Sequence, residues 1–193
     1  MVLLAGFVGG ADATVTRLET LVTDVEKPPS ATFLEWIGKT SNGRMDPMSH
    51  ARRFDHVGIT VADLDTVTAF FVGLGLEVEG RTFVEGEFID TVIGIPDSRT
   101  EIVMLRPLNG GTRLELSSFV RPDHEPGSPA AMANELGLRN VAFEVDDLQA
   151  AVDRLAADGY GLVGGIGQYE HIWRMAYVRG PEGIIVSLAE RIG

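Results

Sequence analysis

An internal repeat constrains the fold of this chain more than any other feature. Residues 54–80 align without a gap on residues 138–164 when the sequence is shifted by 84 positions, and six of the 27 aligned pairs are identical. One identical pair, Asp63 with Asp147, is an aspartate that lies two residues after the end of a predicted strand in each copy. A single unit of this size cannot cover both faces of its own sheet. Two copies of one module are therefore expected to share a core.

Both copies have the same predicted order of elements, which is a strand, a helix and then three strands. Residues 54–61 alternate between apolar and polar side chains and are followed by apolar residues at helical spacing. Asn109-Gly110-Gly111 predicts the turn between the last two strands of the first copy. Module one spans about 54–120, and module two spans about 138–190, with its second strand predicted over residues 161–167. The predicted fold class is α+β, built from two paired βαβββ modules that form a cupped mixed sheet.

Residue usage changes near residue 47. Both lysines of the chain, Lys27 and Lys39, precede Met48, whereas residues 48–193 contain arginine and no lysine. We therefore predict an N-terminal extension over residues 1–47 and one domain over residues 48–193. The extension packs on the domain or on a partner chain, or it is a non-native or weakly ordered addition. No chemistry is predicted for it.

Charge and composition exclude several classes of function. The chain has 28 acidic against 16 basic residues, so it lacks the basic face that nucleic acids and anionic membranes require. It has no cysteine, which excludes disulfides, thiolate ligands and a cysteine nucleophile and fits a cytoplasmic protein. Glycine-rich residues 164–167 are flanked by predicted strands and lack the strand–glycine–helix context of a dinucleotide site. No nucleotide cofactor, nucleic acid or membrane partner is expected.

Four motifs resemble those of the vicinal oxygen chelate superfamily, which includes glyoxalase I, bleomycin-resistance proteins, methylmalonyl-CoA epimerase and extradiol dioxygenases. The motifs are residues 55–61 (DHVGITV) with Asp63-Leu64, residues 114–116 (LEL), residues 141–148 (VAFEVDDL) and residues 180–186 (GPEGIIV). The resemblance covers residues 48–193. It implies paired modules, within one chain or exchanged between two, that form a cup around one small-molecule site. It also implies a homodimer.

The same resemblance implies where metal ligands would lie. In metal-using members, the first and last strands of each module each point one ligand into the cup. His56 and Glu115 match these positions in module one, whereas Asn140 and Ser187 replace the usual histidine and carboxylate in module two. The resemblance thus implies a divalent ion (Zn, Ni, Mn, Co or Fe) at an incomplete site. Asn140 and Ser187 are expected to line the cup and hydrogen-bond a ligand.

Other residues are candidates to complete the site. His171, which opens a predicted strand, is the first candidate for a third ligand, and Glu144 is the second because it lies roughly 13 Å along the strand from the position of Asn140. Trp173 either lines the cup, where a ligand can stack on it, or belongs to the core. Arg174 can bind a carboxylate or phosphate if it faces the cup.

Two functions from different classes fit these residues. The first is an isomerase- or lyase-type enzyme, in which His56 or a bound ion polarises a substrate oxygen while Glu115 moves a proton at the neighbouring carbon. Glu115 is either this base or the partner of a nearby arginine. The alternative is a metal-independent binding protein of the bleomycin-resistance type, which sequesters a drug or a metabolite. His56 and Glu115 favour the enzyme, and Asn140 and Ser187 favour the binding protein.

Overall fold

The computed structural model of this chain describes Ala51 and residues 53–193. The predicted extension, residues 1–47, lies outside the described residues. Two βαβββ modules, each with its own mixed sheet and one principal helix, occupy the described range. The predicted α+β class and the paired modules are confirmed.

Module one follows the predicted order and has one additional short helix. Its elements are β1 (His56–Thr60), α1 (Leu64–Gly73), β2 (Leu76–Glu85), α2 (Glu87–Ile93), β3 (Arg99–Pro107) and β4 (Arg113–Arg121). The predicted Asn109-Gly110-Gly111 turn joins β3 to β4, and Gly110 and Gly111 adopt the positive φ angles that favour glycine. The strand order is β1-β4-β3-β2, in which β1 and β4 are parallel and the other pairs are antiparallel.

Module two repeats this order with one correction. Its elements are β5 (Asn140–Glu144), α3 (Leu148–Ala157), β6 (Gly161–Leu162), β7 (Gly167–Tyr169), β8 (Trp173–Arg179), a 3₁₀ turn (Pro181–Gly183) and β9 (Ile185–Arg191). The prediction of one strand over residues 161–167 was wrong, because two short strands, β6 and β7, each pair with β8. Four glycines between positions 161 and 167 explain the break, since glycine offers no side chain to pack in a strand.

The repeated aspartates are helix caps. Asp63 accepts the backbone N–H of Thr66 at the start of α1, and Asp147 accepts that of Ala150 at the start of α3, both at 2.9 Å. Each aspartate satisfies a donor that the first helical turn leaves unpaired. The identity between the two copies therefore marks the same physical requirement in both modules.

The two modules share one apolar core. Buried residues of α1, β3 and β4 belong to the same cluster as buried residues of α3, β8 and β9. The Phe71 ring of α1 lies 6.2 Å from the Phe143 ring of β5, and the Phe70 and Tyr160 rings meet edge to face at 4.9 Å. Burial of the apolar faces of both sheets against the helices stabilises this arrangement.

The turn before β9 also connects the modules. The Glu182 carboxylate accepts the backbone N–H groups of Ala62 and Asp63, immediately before α1, at distances of 2.6 to 3.0 Å. A carboxylate at this place also interacts favourably with the positive end of the helix dipole. Module two thus supplies a cap to the helix of module one. No helix within the described residues is long and apolar enough to cross a membrane.

Candidate functional site

His56 is held by a carboxylate on one side of its ring. Val57 is partly buried against the core, and the alternation of the strand places His56 on the opposite face of β1, which we call the site face. Its Nδ1 lies 3.0 Å from Asp55 Oδ2. A carboxylate only accepts hydrogen bonds, so Nδ1 carries the proton and, in the neutral ring, Nε2 carries the lone pair.

Arg113 holds Asp55 in turn. Its Nη2 donates to both carboxylate oxygens of Asp55 at 2.8 and 2.9 Å, and Arg53 also pairs with Asp55. The hydrogen bonds from His56 and Arg113 lower the pKa of Asp55 from 3.8 to about 2. Asp55 therefore stays ionised at any ordinary pH and fixes the orientation of the imidazole.

Glu115 faces the free side of the same ring. β1 and β4 are parallel, and their register sets Gly58 opposite Glu115 and His56 opposite Arg113. His56 Nε2 lies 3.9 Å from Glu115 Oε2, and the two side chains are 38% and 26% exposed. An imidazole nitrogen and a carboxylate oxygen thus converge on one solvent-accessible space.

Module two has the same strand pairing as module one, but it lacks a histidine and a carboxylate at the corresponding positions. Its register sets Ala142 opposite Ser187 and Asn140 at the position that corresponds to His56. Ser187 is buried, whereas Asn140 is partly buried. In the register, Asn140 therefore corresponds to His56 and Ser187 to Glu115, as predicted. Unlike His56 and Glu115, however, the Asn140 and Ser187 side chains do not ionise. Their predicted role as ligand contacts stays a prediction.

The side chains of β8 lie on two faces of the sheet, and Arg174 does not share a face with Trp173 and Tyr177. Tyr177 lies opposite Ser187 in the register and shares its face, while Trp173 lies on that face four residues away, about 13 Å along the strand. Arg174 lies on the other face, where its Nη1 is 3.3 Å from Glu190 Oε2. The Glu190 carboxylate also accepts the backbone N–H of Leu148. Arg174 therefore lies on the helix side of the sheet and not on the face of Ser187, and its role as a ligand contact stays a prediction.

The third metal ligand expected from the sequence is not brought to His56 and Glu115. His171 lies in the exposed turn between β7 and β8 with a φ of 58°, and its Nδ1 is 2.9 Å from Gln168 Nε2. Within residues 53–193, no group of three or more histidine, aspartate or glutamate side chains is arranged to hold a metal ion. The structure therefore does not group His171 or Glu144 with His56 and Glu115 among the described residues, and their role as third ligands stays a prediction.

The number of available ligands determines whether this site can hold a metal ion. The His56 nitrogen and the Glu115 oxygen are ligands that divalent ions accept, and Asp55 supplies the outer carboxylate that usually orients a ligating histidine. Catalytic zinc sites have three protein ligands. The described residues supply two and do not complete such a site.

Two functional side chains were missed by the sequence analysis. Asp55 and Arg113 form the array that orients His56, and both carry a sequence signal: Asp55 precedes His56, and Arg113 lies two residues before Glu115. Side chains two residues apart on a strand point to the same face, so Arg113 was predictable as a neighbour of the site.

Comparisons with known proteins agree with this architecture. The family model of the Glyoxalase/Bleomycin resistance protein/Dioxygenase superfamily matches residues 55–177. A glyoxalase family protein from Bacillus cereus is 40% identical with a TM-score of 0.74, covering 77% of this chain and all of that one. An ethylmalonyl-CoA/methylmalonyl-CoA epimerase from Cereibacter sphaeroides is 34% identical over 113 residues, which is 58% of this chain and 75% of the epimerase.

A more distant solved structure shares the fold alone. The trypanothione-dependent glyoxalase I of Leishmania major is 21% identical, with a TM-score of 0.51, and the match covers 72% of this chain and 87% of the enzyme. The repeated modules, the His56–Glu115 pair and the match of the family model over most of the described range lead to one conclusion. The chain belongs to the glyoxalase/bleomycin resistance protein/dioxygenase superfamily, the vicinal oxygen chelate superfamily.

Proposed function

We propose that this protein is an isomerase-type enzyme that moves a proton at a carbon next to a carbonyl group of a small molecule. The observation that carries the proposal is the 3.9 Å approach of His56 Nε2 to Glu115 Oε2, with Asp55 on the other ring nitrogen. The similarity to an ethylmalonyl-CoA/methylmalonyl-CoA epimerase supports the same class of reaction.

The two side chains have complementary roles in this reaction. The Glu115 carboxylate accepts the proton from the carbon, and negative charge develops on the carbonyl oxygen. In its protonated form His56 donates Nδ1–H to Asp55 and has its Nε2–H available for that oxygen. Glu115 can return the proton only to the face from which it came, which restores the starting configuration. Inversion of the carbon therefore requires solvent to protonate the opposite face of the planar intermediate, while Glu115 releases its proton to solvent. Arg113 and Asp55 do no chemistry and hold the ring in place.

Divalent-metal binding remains a prediction of the resemblance. His56 and Glu115 would be the two protein ligands, and a bound ion would polarise the substrate oxygen as a Lewis acid. Assembly as a homodimer also remains a prediction.

The test is solvent-proton exchange. The full chain is incubated in D₂O with methylmalonyl-CoA and ethylmalonyl-CoA, and loss of the proton on the carbon between the carbonyl groups is followed by NMR. We expect Glu115→Gln to lower the exchange rate by about 100-fold or more, the range that general acid–base catalysis contributes. Glu125→Gln, the same change at an exposed position of the linker between the modules, should keep the rate within about threefold. Equal rates for Glu115→Gln and wild type would reject this assignment.

A second function is favoured by a separate observation. The described residues supply only two ionisable donors, and the corresponding positions of module two hold Asn140 and Ser187 with Tyr177 beside Ser187. A metal-independent ligand-binding protein of the bleomycin-resistance type would use such polar and aromatic groups. Such a protein would bind small aromatic compounds equally well with and without a chelator. Tyr177→Ala would weaken this binding, and wild type would catalyse no proton exchange.

A further inference from the structure

A cavity lies where the two modules meet, beside the first strand of each. Its volume is about 300 Å³, and its lining comes from β1, β5, the linker between the modules and the turn before β9. Most of the lining is apolar, including Ile59, Val141 and Ile185. A few polar side chains, Thr60, Ser128 and Asn140 among them, join this apolar wall. Small-molecule sites have this composition, in which the few polar groups determine what is bound.

Arg139 brings a cation to this cavity. It lines the cavity and is partly buried, and its Nε is buried with no hydrogen-bond acceptor among the described residues. Other arginines of the domain, such as Arg81 and Arg113, each pair with two carboxylates. Within the described residues no carboxylate lies within ion-pair distance of Arg139. A buried donor without an acceptor is costly, and an anionic ligand would satisfy it.

The charges around the cavity are compatible with an anion. Glu182 also lines it, but the Glu182 carboxylate accepts hydrogen bonds from the Ala62 and Asp63 amides. Arg179 donates to the carbonyl oxygens of Pro129 and Gly183 at the same wall and has no carboxylate partner among the described residues. The cavity lining thus contains one guanidinium group without a carboxylate partner and one carboxylate that backbone amides already neutralise in part, with the Arg179 guanidinium behind the same wall.

The cavity adjoins the His56–Glu115 pair. Gly58 lines the cavity and lies directly opposite Glu115 in the register of β1 and β4. A Cβ at Gly58 would meet no atom within 4 Å, so no neighbouring atom fills the space at this position. Thr60 lies two residues farther, about 7 Å along the strand. The cavity therefore extends along β1 from the strand position beside Glu115.

We propose that this cavity binds the anionic group, a carboxylate or a phosphate, of a small organic acid, and that Arg139 recognises that group. The planar guanidinium fork matches either oxyanion in a bidentate manner. This proposal adds a substrate class to the proposed function. It rests on the proposed function only in assigning the reacting carbon to the end of the molecule beside Glu115. Anion binding itself depends on Arg139 and not on Glu115.

The test is calorimetric titration of the full chain with two probes, malonate and inorganic phosphate. We expect wild type to bind at least one probe and Arg139→Met to weaken that binding at least about tenfold, since a charge-assisted bidentate contact is lost. The matched control is Arg154→Met, which removes an equal charge from an exposed position on α3. It should change the affinity by less than about twofold. Glu115→Gln should bind the probe at least as tightly as wild type.

Each outcome decides the proposal. Binding of malonate alone assigns a carboxylate site, and binding of phosphate alone assigns a phosphate site. No binding of either probe to folded wild type, or equal weakening by Arg139→Met and Arg154→Met, overturns the inference. If Arg139→Met does not fold, Arg139→Lys is tested instead, because lysine keeps the positive charge and lacks the bidentate guanidinium. Unchanged affinity of Arg139→Lys for the probe would then count against recognition of the anion by Arg139. Absence of proton exchange in wild type, with anion binding intact, would refute the proposed function and leave this site standing.

Discussion

Substitution of Gly183 by alanine tests the junction between the modules. Gly183 has a φ of 82°, and a Cβ built on it would lie 2.2 Å from the backbone oxygen of Pro129 in the linker. The left-handed conformation costs a residue with a Cβ about 1–2 kcal/mol. Overpacking against rigid neighbours typically costs about 1–3 kcal/mol more. We therefore expect Gly183→Ala to lower the free energy of unfolding by about 2–5 kcal/mol.

Alanine substitutions at three other glycines separate the cost of the left-handed backbone conformation from the cost of steric overlap at the added Cβ. Gly75 has a φ of 100° but open space at its Cβ, so Gly75→Ala should cost about 1–2 kcal/mol from strain alone. Gly180 has an ordinary φ of −84° but its Cβ would lie 2.6 Å from the Phe70 ring, so Gly180→Ala should cost about 1–3 kcal/mol from contact alone. Gly58 has neither problem, and Gly58→Ala should stabilise the protein by about 0.5–1 kcal/mol.

The assay is urea unfolding of the four variants followed by circular dichroism. A shift in midpoint with an unchanged slope measures the change in stability. The expected order is Gly58→Ala most stable, then Gly75→Ala and Gly180→Ala, and Gly183→Ala least stable. If Gly183→Ala were as stable as Gly75→Ala, the close approach of the linker to this turn would be refuted.

Three further predictions concern single side chains. Because the hydrogen bonds of Asp55 lower its pKa to about 2, its contribution to stability is complete above its ordinary pKa of 3.8 and is lost as the pH falls through about 2. Urea midpoints measured between about pH 5 and pH 2 should fall less steeply in Asp55→Asn than in wild type. The same variant should lower proton-exchange activity by about 10- to 100-fold, because Asp55 orients His56; unchanged activity would contradict that role. Asp147→Ala removes the cap of α3 and should cost about 1 kcal/mol in urea unfolding, whereas the exposed neighbour Asp146→Ala should cost less than about 0.5 kcal/mol.

The sequence was sufficient for the fold because the repeat falls on positions with one physical role. Asp63 and Asp147 cap equivalent helices, and the alternation that opens each copy sets which side chains are buried. Such local requirements are visible in residue types and their spacing. The glycine-rich residues 161–167, predicted as the second strand of module two, were the exception, because glycine carries no side-chain pattern that indicates where a strand is interrupted.

The site was only partly predictable from the sequence. His56 and Glu115 lie on neighbouring parallel strands, and their motif placed them together. The face of Arg174 was not predictable, because alternation along β8 separates two faces without indicating which one is the site face. The pairing of Tyr177 with Ser187 identifies that face. Arg139 was missed because its unsatisfied nitrogen arises from packing at the junction of two modules, which no local pattern encodes.

The central claim is that Asp55 fixes the His56 ring so that Nε2 faces Glu115. Long-range ¹⁵N–¹H NMR of histidine-labelled protein, with His56→Ala to assign the signal, reports which ring nitrogen carries the proton at a pH where the ring is neutral. The structure predicts protonation at Nδ1 in wild type. In Asp55→Asn, Arg113 still donates to the amide oxygen, so the amide N–H₂ faces Nδ1 and the proton should move to Nε2. Protonation of wild-type His56 at Nε2, or the same tautomer in both proteins, would contradict the account.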